Sequence, residues 1–373
     1  MRYSVLPLAF ISALALTGCS DQGKQANADL NAGKALAEQE CKGCHGLDGR
    51  GAAPGIPNLA GQNERYLIEA LNEYRDGKRI HAALREVTAK MSEAQARNVA
   101  AYYASLPPIS AAADVKTFSP YETGKRHAAA CATCHGEDGN SKTPGTPSLA
   151  GQQPRYLANA MADYLTGARE HEPAPMHSLV RDMNKMDFES MALFFASQAP
   201  AERPAPPFGD PKAGEPLSAP CGGCHGSHGV STDASTPTLA AQDGQYLVEA
   251  TKAYRQKTRR NAAMNRATAG LSDADIENLA AYYAVQKSRP AEQGQMLIQE
   301  LTEKCNRCHG ADVSNPALPI PNIRGQDKDY LIMALGAYRD DKRTSSTMHK
   351  MSLPFADAVI EALASFYASR PAR

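Results

Sequence analysis

Apolar and polar positions along the chain follow a helical period, and no segment alternates with period two for long enough to suggest a sheet. Between Glu64 and Asp76, Tyr66, Ala70, Leu71 and Tyr74 fall on one face and Gly77 marks a stop, which predicts an amphipathic helix. A later helix is announced by capping patterns, Ser92 to Gln95 and Ser272 to Asp275. It runs on through Ala-Ala-Tyr-Tyr at 100–103 and again at 280–283. An earlier helix carries a glycine, Gly33, Gly124, Gly214 or Gly294, where another helix can approach closely. The pattern predicts an all-α fold.

These signals recur. Paired cysteines begin at 41, 131, 221 and 305, spaced by 90, 90 and 84 residues, so the chain reads as four copies of one unit. Each copy has Cys-x-x-Cys-His, then a proline twelve residues after the histidine: Pro57, Pro147, Pro237 and Pro321. A shared phrase starts at that proline: Pro-Asn-Leu-Ala-Gly-Gln62, Pro-Ser-Leu-Ala-Gly-Gln152, Pro-Thr-Leu-Ala-Ala-Gln242 and Pro-Asn-Ile-Arg-Gly-Gln326. A tyrosine pair eight residues apart follows: Tyr66/Tyr74, Tyr156/Tyr164, Tyr246/Tyr254 and Tyr330/Tyr338. Pro- and Ala-rich linkers occupy Leu106 to Pro120 and Pro200 to Pro216, whereas the third junction, Ser288 to Glu292, is short. The short junction predicts units three and four as the more tightly coupled pair.

Composition narrows the chemistry. With 373 residues the chain holds several small domains, and 40 acidic against 40 basic residues give a nucleic-acid partner no electrostatic support. There is no Trp and aromatic content is 6%. Small domains built around a large flat cofactor explain that, because the cofactor supplies apolar bulk. Eight of nine cysteines form the pairs Cys41/Cys44, Cys131/Cys134, Cys221/Cys224 and Cys305/Cys308. A histidine after every pair, His45, His135, His225 and His309, favours thioether attachment of haem c over a disulfide or a zinc site. Four covalently bound haems are expected, with each histidine binding iron.

Such attachment takes place outside the bacterial cytoplasm, and the N-terminus carries an export signal. Arg2 precedes an apolar run from Val5 to Leu16, too short for a comfortable membrane span. The run ends Leu16-Thr17-Gly18-Cys19, which resembles a lipoprotein lipobox and makes Cys19 the expected lipidation site. Acyl chains there would hold the protein on a membrane. Ser20, in place of an Asp, leans toward the outer membrane and a periplasmic location.

Together these residues resemble the class I c-type cytochromes, and most closely the dihaem c4 type, in a doubled, tetrahaem form. The resemblance covers about residues 30–370 and rests on the Cys-x-x-Cys-His-Gly, the Pro-x-Leu-Ala-Gly-Gln phrase, the tyrosine helix and the Leu-Ser-Asp-Ala-Asp-Ile ending of the third copy. It implies cytochrome c domains at 31–110, 118–200, 208–288 and 290–373, following the signal peptide at 1–18 and lipidated tether at 19–30 that the lipobox marks. It also implies that each proline carbonyl accepts a hydrogen bond from its ligand histidine, and that a methionine is the second axial ligand. Spacing locates that methionine: Met176, Met264 and Met348 each lie 18 residues before an aromatic of the last helix, with Met351 a rival to Met348.

The first unit departs from this, because Leu84 stands at the equivalent position. Three readings compete there: His81 as a second histidine ligand, Met91 from a remodelled loop, or a position open to a small molecule. The other histidines, His127, His171, His177, His228 and His349, read as surface or haem-edge residues. The tyrosines and Arg79, Arg169, Arg259 and Arg343 are expected either to bond haem propionates or to pack helices.

Iron with histidine and methionine ligands has no vacant site, which points to an electron carrier rather than an enzyme. The expected function is a periplasmic, membrane-anchored carrier. Its expected redox partners are a donor dehydrogenase or quinol-oxidising complex and an acceptor oxidase or reductase. The alternative is a haem enzyme whose first haem is catalytic or ligand-binding while the others relay electrons.

Overall fold

A computed structural model describes residues 28–110, 115–169, 176–291, 298–310 and 316–372. Cys19, the export signal, Gly294 and His171 lie outside these residues. The described residues are helical, without a strand; an isolated bridge joins Arg79 to Arg343. No helix among them is long and apolar enough to cross a membrane.

Each unit repeats one order of helices. Unit 1 has α1 (Leu30–Leu36), α2 (Glu64–Arg75), α3 (Ala82–Ala89) and α4 (Glu93–Ser105). Unit 2 has α5 (Pro120–Ala128), α6 (Pro154–Thr166), α7 (Met176–Val180) and α8 (Lys185–Ser197). Unit 3 has α9 (Pro211–Leu217), α10 (Gly244–Arg255), α11 (Ala262–Thr268) and α12 (Asp273–Ala284). Unit 4 has α13 (Ile298–His309), α14 (Lys328–Arg339), α15 (Ser346–Ser352) and α16 (Asp357–Ala368).

Within a unit the first and last helices cross at close range. A Cβ on Gly33 would sit 2.1 Å from the Asn98 carbonyl oxygen, on Gly124 2.0 Å from that of Ser190, and on Gly214 2.1 Å from that of Asn278. Glycine is therefore required for backbone contact at three equivalent crossings. The last helices start as the sequence predicts, with reciprocal capping boxes at Ser92/Gln95 and Ser272/Asp275, and a further one at Asn184/Asp187. Unit 4 is the exception. Its α16 follows Ala356, which offers no capping side chain.

The pairing of units corrects the expectation drawn from linker length. Unit 4 docks on unit 1, and unit 3 docks on unit 2, so one pair is nested inside the other along the chain. The reason is that docking is set by the Pro-x-Leu-Ala-Gly-Gln phrase, whereas closing a longer loop costs only slowly more entropy. Arg203, from the linker between units 2 and 3, fastens the inner pair. Its Nη2 donates to the Ser141 carbonyl (2.6 Å) and to Ser148 Oγ (2.7 Å), and its Nε to the Ala241 carbonyl (3.1 Å).

The two pairs meet where α8 of unit 2 and α5 pack on α16 of unit 4. Leu193 of α8 packs against the unit 4 cluster of Leu301, Phe355, Val359, Ile360 and Leu363. Glu189 Oε2 accepts from the Ala358 amide at 2.9 Å, and Lys185 Nζ lies 2.7 Å from Asp357 Oδ2. Unit 2 thus supplies the cap that Ala356 lacks.

Gly124→Ala should lower the thermal midpoint of the protein, at a cost of about 1–3 kcal/mol for overpacking a helix crossing. Gly270→Ala, where an added Cβ meets nothing within 4 Å, should be close to neutral. Thermal unfolding followed by circular dichroism compares the two.

Candidate haem sites and the interfaces between them

In each unit a helical turn carries Cys-x-x-Cys-His. Three of these turns end at a glycine of positive φ: Gly46 at 64°, Gly136 at 82° and Gly226 at 78°. None of the eight cysteines of these turns is in a disulfide.

The motif assigns both cysteines of a pair to haem attachment, and their surroundings differ. Cys41, Cys131, Cys221 and Cys305 are half-buried and pack against the core of their own unit. Burial pushes their thiols up, Cys41 to about 11. Cys44, Cys134, Cys224 and Cys308 are instead exposed. In units 1 to 3 the first cysteine ends a short helical turn that follows the first helix, and in unit 4 Cys305 lies within α13 itself; the second cysteine stands about one turn further on.

The histidines are held alike. Nδ1 of His45 lies 3.0 Å from the Pro57 carbonyl, of His135 2.8 Å from Pro147, of His225 2.8 Å from Pro237 and of His309 2.9 Å from Pro321. A carbonyl only accepts, so Nδ1 must carry the proton, and the lone pair of a neutral imidazole is left on Nε2. Burial lowers the pKa of all four, partly opposed by the bond to proline, which keeps the rings neutral. A neutral ring with a fixed tautomer is what a metal requires of histidine.

The methionine positions also coincide in structure. Met264 and Met348 are each the third residue of a short helix, and Leu84 occupies the same place in α3. The residue four positions on returns a hydroxyl bond to their carbonyls: Thr268 to Met264 (2.8 Å), Ser352 to Met348 (2.8 Å) and Thr88 to Leu84 (2.7 Å). Met176 opens α7, and the residues before it are outside the described set. Met351 is exposed.

His81 caps α3. Its Nδ1 accepts from the Leu84 amide at 3.3 Å, the role that Asn261 plays for Met264 and Ser345 for Met348. Met91 packs against the core of unit 1. The other described histidines include three that contact protein groups: His127 with Asp187, His228 with the Tyr282 hydroxyl, and His349 with the Tyr338 carbonyl.

The phrase following each ligand-site proline is the clasp between units. The Asn58 amide donates to Gln326 Oε1 (2.7 Å), and Gln326 Nε2 donates back to the Asn58 carbonyl (2.9 Å). The same exchange relates Asn322 to Gln62, at 2.7 and 2.9 Å. In the inner pair it relates Ser148 to Gln242 and Thr238 to Gln152, at the same two distances. Contact i-to-j repeated as j-to-i is the signature of a two-fold, isologous interface. Each clasp residue directly follows the proline that holds a histidine.

Beside each clasp lies a buried cluster of tyrosines and arginines, a place between units that neither sequence-based expectation specified. Tyr66 and Tyr330 hydroxyls are 3.3 Å apart, and Arg343 Nη2 donates to Tyr66 at 2.8 Å. In the inner pair Arg259 Nη2 donates to Tyr156 (3.0 Å) and Nη1 to Tyr246 (3.3 Å). Burial raises the Tyr66 and Tyr156 hydroxyls, but two guanidiniums beside each outweigh it and hold their pKa values below the ordinary tyrosine range.

Arg79 is paired with Glu73, and Arg169 with Asp163 at 4.0 Å. Arg343 and Arg259 show no carboxylate partner among the described residues, and their buried Nε atoms have no hydrogen-bond acceptor. A buried cation without an anion is costly. Haem c brings two propionates, and these orphaned donors fit such carboxylates. The residues present thus fit the group: cysteines for its covalent attachment, neutral histidines for iron, and arginines for its acidic edge.

The comparisons agree. The cytochrome c family profile matches residues 30–107, 121–194 and 212–284, more than half of the chain. Cytochrome c4 of Pseudomonas aeruginosa is 31% identical over 198 residues, covering 51% of this chain and 96% of its own. The thiosulfate dehydrogenase electron acceptor of Stutzerimonas stutzeri is 28% identical, covering 51% of this chain and 94% of its own. The reduced cytochrome c4 structure from Pseudomonas stutzeri is 32% identical, covering 44% of this chain and 98% of its own, with a TM-score of 0.41. With its repeated haem-binding units and a length about twice that of the c4 proteins it matches, this haem c-binding electron-transfer chain belongs to the cytochrome c family, as a doubled form of the c4 type.

Proposed function

We propose that the chain is a tetrahaem electron carrier of the periplasm, anchored through a lipidated Cys19, that passes electrons between respiratory donors and a terminal oxidase or reductase. One observation carries the reading: four histidines hold Nδ1 on a proline carbonyl, and Met264 and Met348 share one place in a short helix, with Met176 at the same spacing from its last helix in the sequence. Bound haem supplies one-electron chemistry, and thioether ligation favours the reduced iron. The protein's own residues would fix the imidazole tautomer, neutralise the acidic edge with arginine and, in three units, offer a methionine as a second donor to iron. The relatives named as electron acceptors of thiosulfate dehydrogenase support a protein redox partner, such as a donor dehydrogenase, rather than a small substrate.

A second reading concerns unit 1 alone. Leu84 fills the methionine place and offers no donor, while His81 is engaged as the cap of α3. Unit 1 therefore leaves one side of its haem open to a small neutral ligand, which suits a ligand-binding or catalytic haem fed by the other three.

Haem quantitation should give four haems per chain, and carbon monoxide added to the reduced protein should bind at one of them. Carbon monoxide binding at most of the haems would sink the carrier reading. An absence of binding, with two-histidine character in near-infrared magnetic circular dichroism that disappears in His81→Ala, would sink the open-site reading and make His81 the ligand. Leu84→Met should abolish carbon monoxide binding.

Cys19→Ala should move the protein from the membrane fraction to the soluble periplasm. Fractionation of cells expressing the variant reads the outcome, and retention on the membrane would refute the anchor.

A further inference from the structure

The nested arrangement gives electron flow a spatial order that differs from the order of the units in the sequence. We propose that electrons pass along the units in the order 1, 4, 2, 3, so that units 1 and 3 are the two ends and the junction of α8 with α16 joins the halves. This rests on the electron-carrier reading and specifies the route within it.

The argument starts at the ligand histidines. From His45, the bond to the Pro57 carbonyl leads to the adjacent Asn58, which is clasped by Gln326 of unit 4. From His309, the bond to the Pro321 carbonyl leads to the adjacent Asn322, which is clasped by Gln62 of unit 1. His135 and His225 are joined in the same way through Pro147, Ser148 and Gln242 on one side and Pro237, Thr238 and Gln152 on the other. The loops that hold the ligand histidines of units 1 and 4, and of units 2 and 3, are thus clasped to one another by reciprocal hydrogen bonds. The arginines with orphaned Nε atoms, Arg343 and Arg259, lie in these same two interfaces.

Electron transfer between fixed centres weakens steeply with separation, so the closest packed units dominate. The halves are joined between units 2 and 4. There Glu189 caps α16 at Ala358, Lys185 meets Asp357, and Leu193 enters the unit 4 core. Each step oxidises one iron and reduces the next, and it needs no proton or atom transfer. No outside reductant is needed beyond the electron already on the chain.

The test uses the whole haem-loaded protein, partly reduced, with 13C-labelled methionine methyl groups. Met176, Met264 and Met348 report units 2, 3 and 4 separately by exchange NMR, and the visible spectrum reports unit 1. Gln62→Ala with Gln326→Ala should slow exchange between units 1 and 4 by roughly tenfold or more, since four hydrogen bonds across that interface are lost. Exchange between units 2 and 3 should be unchanged. Gln152→Ala with Gln242→Ala should isolate unit 3 alone and leave units 1, 4 and 2 in communication. Glu189→Ala with Asp357→Ala should slow traffic between the halves and spare each pair.

Retention of wild-type exchange into unit 1 in the first variant overturns the proposal. So does interruption of traffic between units 1 and 4 in the second variant, which sequence order would require. The two clasps are independent, so failure of either double variant to fold leaves the other decisive; single Gln326→Ala and Gln242→Ala variants retain half of each clasp. Absence of exchange between any units in the unsubstituted protein would instead refute the carrier reading itself.

Discussion

The hydrogen bond from a histidine Nδ1 to the carbonyl of the proline twelve residues later organises this molecule. It fixes the proton on one ring nitrogen and leaves the other for iron, at distances of 2.8 to 3.0 Å in all four units. It also fixes the loop that follows. With the proline pinned, residues 58, 148, 238 and 322 present their amides and carbonyls outward, where a glutamine from another unit can take both. Haem ligation and unit docking are therefore two uses of one rigid turn. Each clasp hydrogen bond is worth about 1 kcal/mol net, and four at an interface give a few kcal/mol before any apolar burial is counted.

The fold and the proximal sites were legible in the sequence because they are local. The repeat of Cys-x-x-Cys-His, the proline at a fixed offset and the capping boxes at Ser92 and Ser272 each involve residues that one helix or turn brings together. The equivalence of Leu84 with Met264 and Met348 was legible for the same reason, since it depends on register within a short helix. The role of His81 as a cap was within reach too. It aligns with Asn261 and Ser345, both ordinary capping residues, and a histidine nitrogen can accept from an amide as their oxygens do. The unequal burial within each cysteine pair was not legible. Cys41 and Cys44 carry the same chemistry in the motif, and only the packing of the neighbouring helices tells the half-buried position from the exposed one.

What the sequence left open is which copy meets which. Gln62, Gln152, Gln242 and Gln326 stand out as polar residues repeated at one position, yet four similar clasps permit several pairings. Linker length pointed to units 3 and 4, and wrongly, because loop-closure entropy changes little between linkers of such lengths. Arg79, Arg169, Arg259 and Arg343 suffered the same ambiguity. Their surroundings depend on the partner unit, which no local pattern in the sequence specifies. In the structure they place positive charge between two units, beside Tyr66 and Tyr156, whose hydroxyls those charges hold below the usual pKa, while burial pushes Tyr330 and Tyr246 up.

The seam between the two halves shows that the doubled form is more than two c4-like pairs on one string. In α8 Glu189 lies buried between Phe188 and the run Ser-Met-Ala-Leu-Phe-Phe, an unfavourable place for a charge unless a donor meets it. In unit 4 the position taken by Ser92, Asn184 or Ser272 in the other copies is Ala356, which leaves the first amides of α16 without a local partner. Glu189 answers both deficits with one bond to the Ala358 amide, at the end of a helix whose dipole favours its charge. Each defect would cost its own unit in isolation, the first through a buried carboxylate oxygen that loses its amide donor while Lys185 stands 3.6 Å from the other oxygen, and the second through a frayed helix. Because they cancel only when unit 2 and unit 4 are docked, the stability of the closing helix of unit 4 is tied to the position of unit 2, and the inner pair becomes part of the folded structure of the outer one.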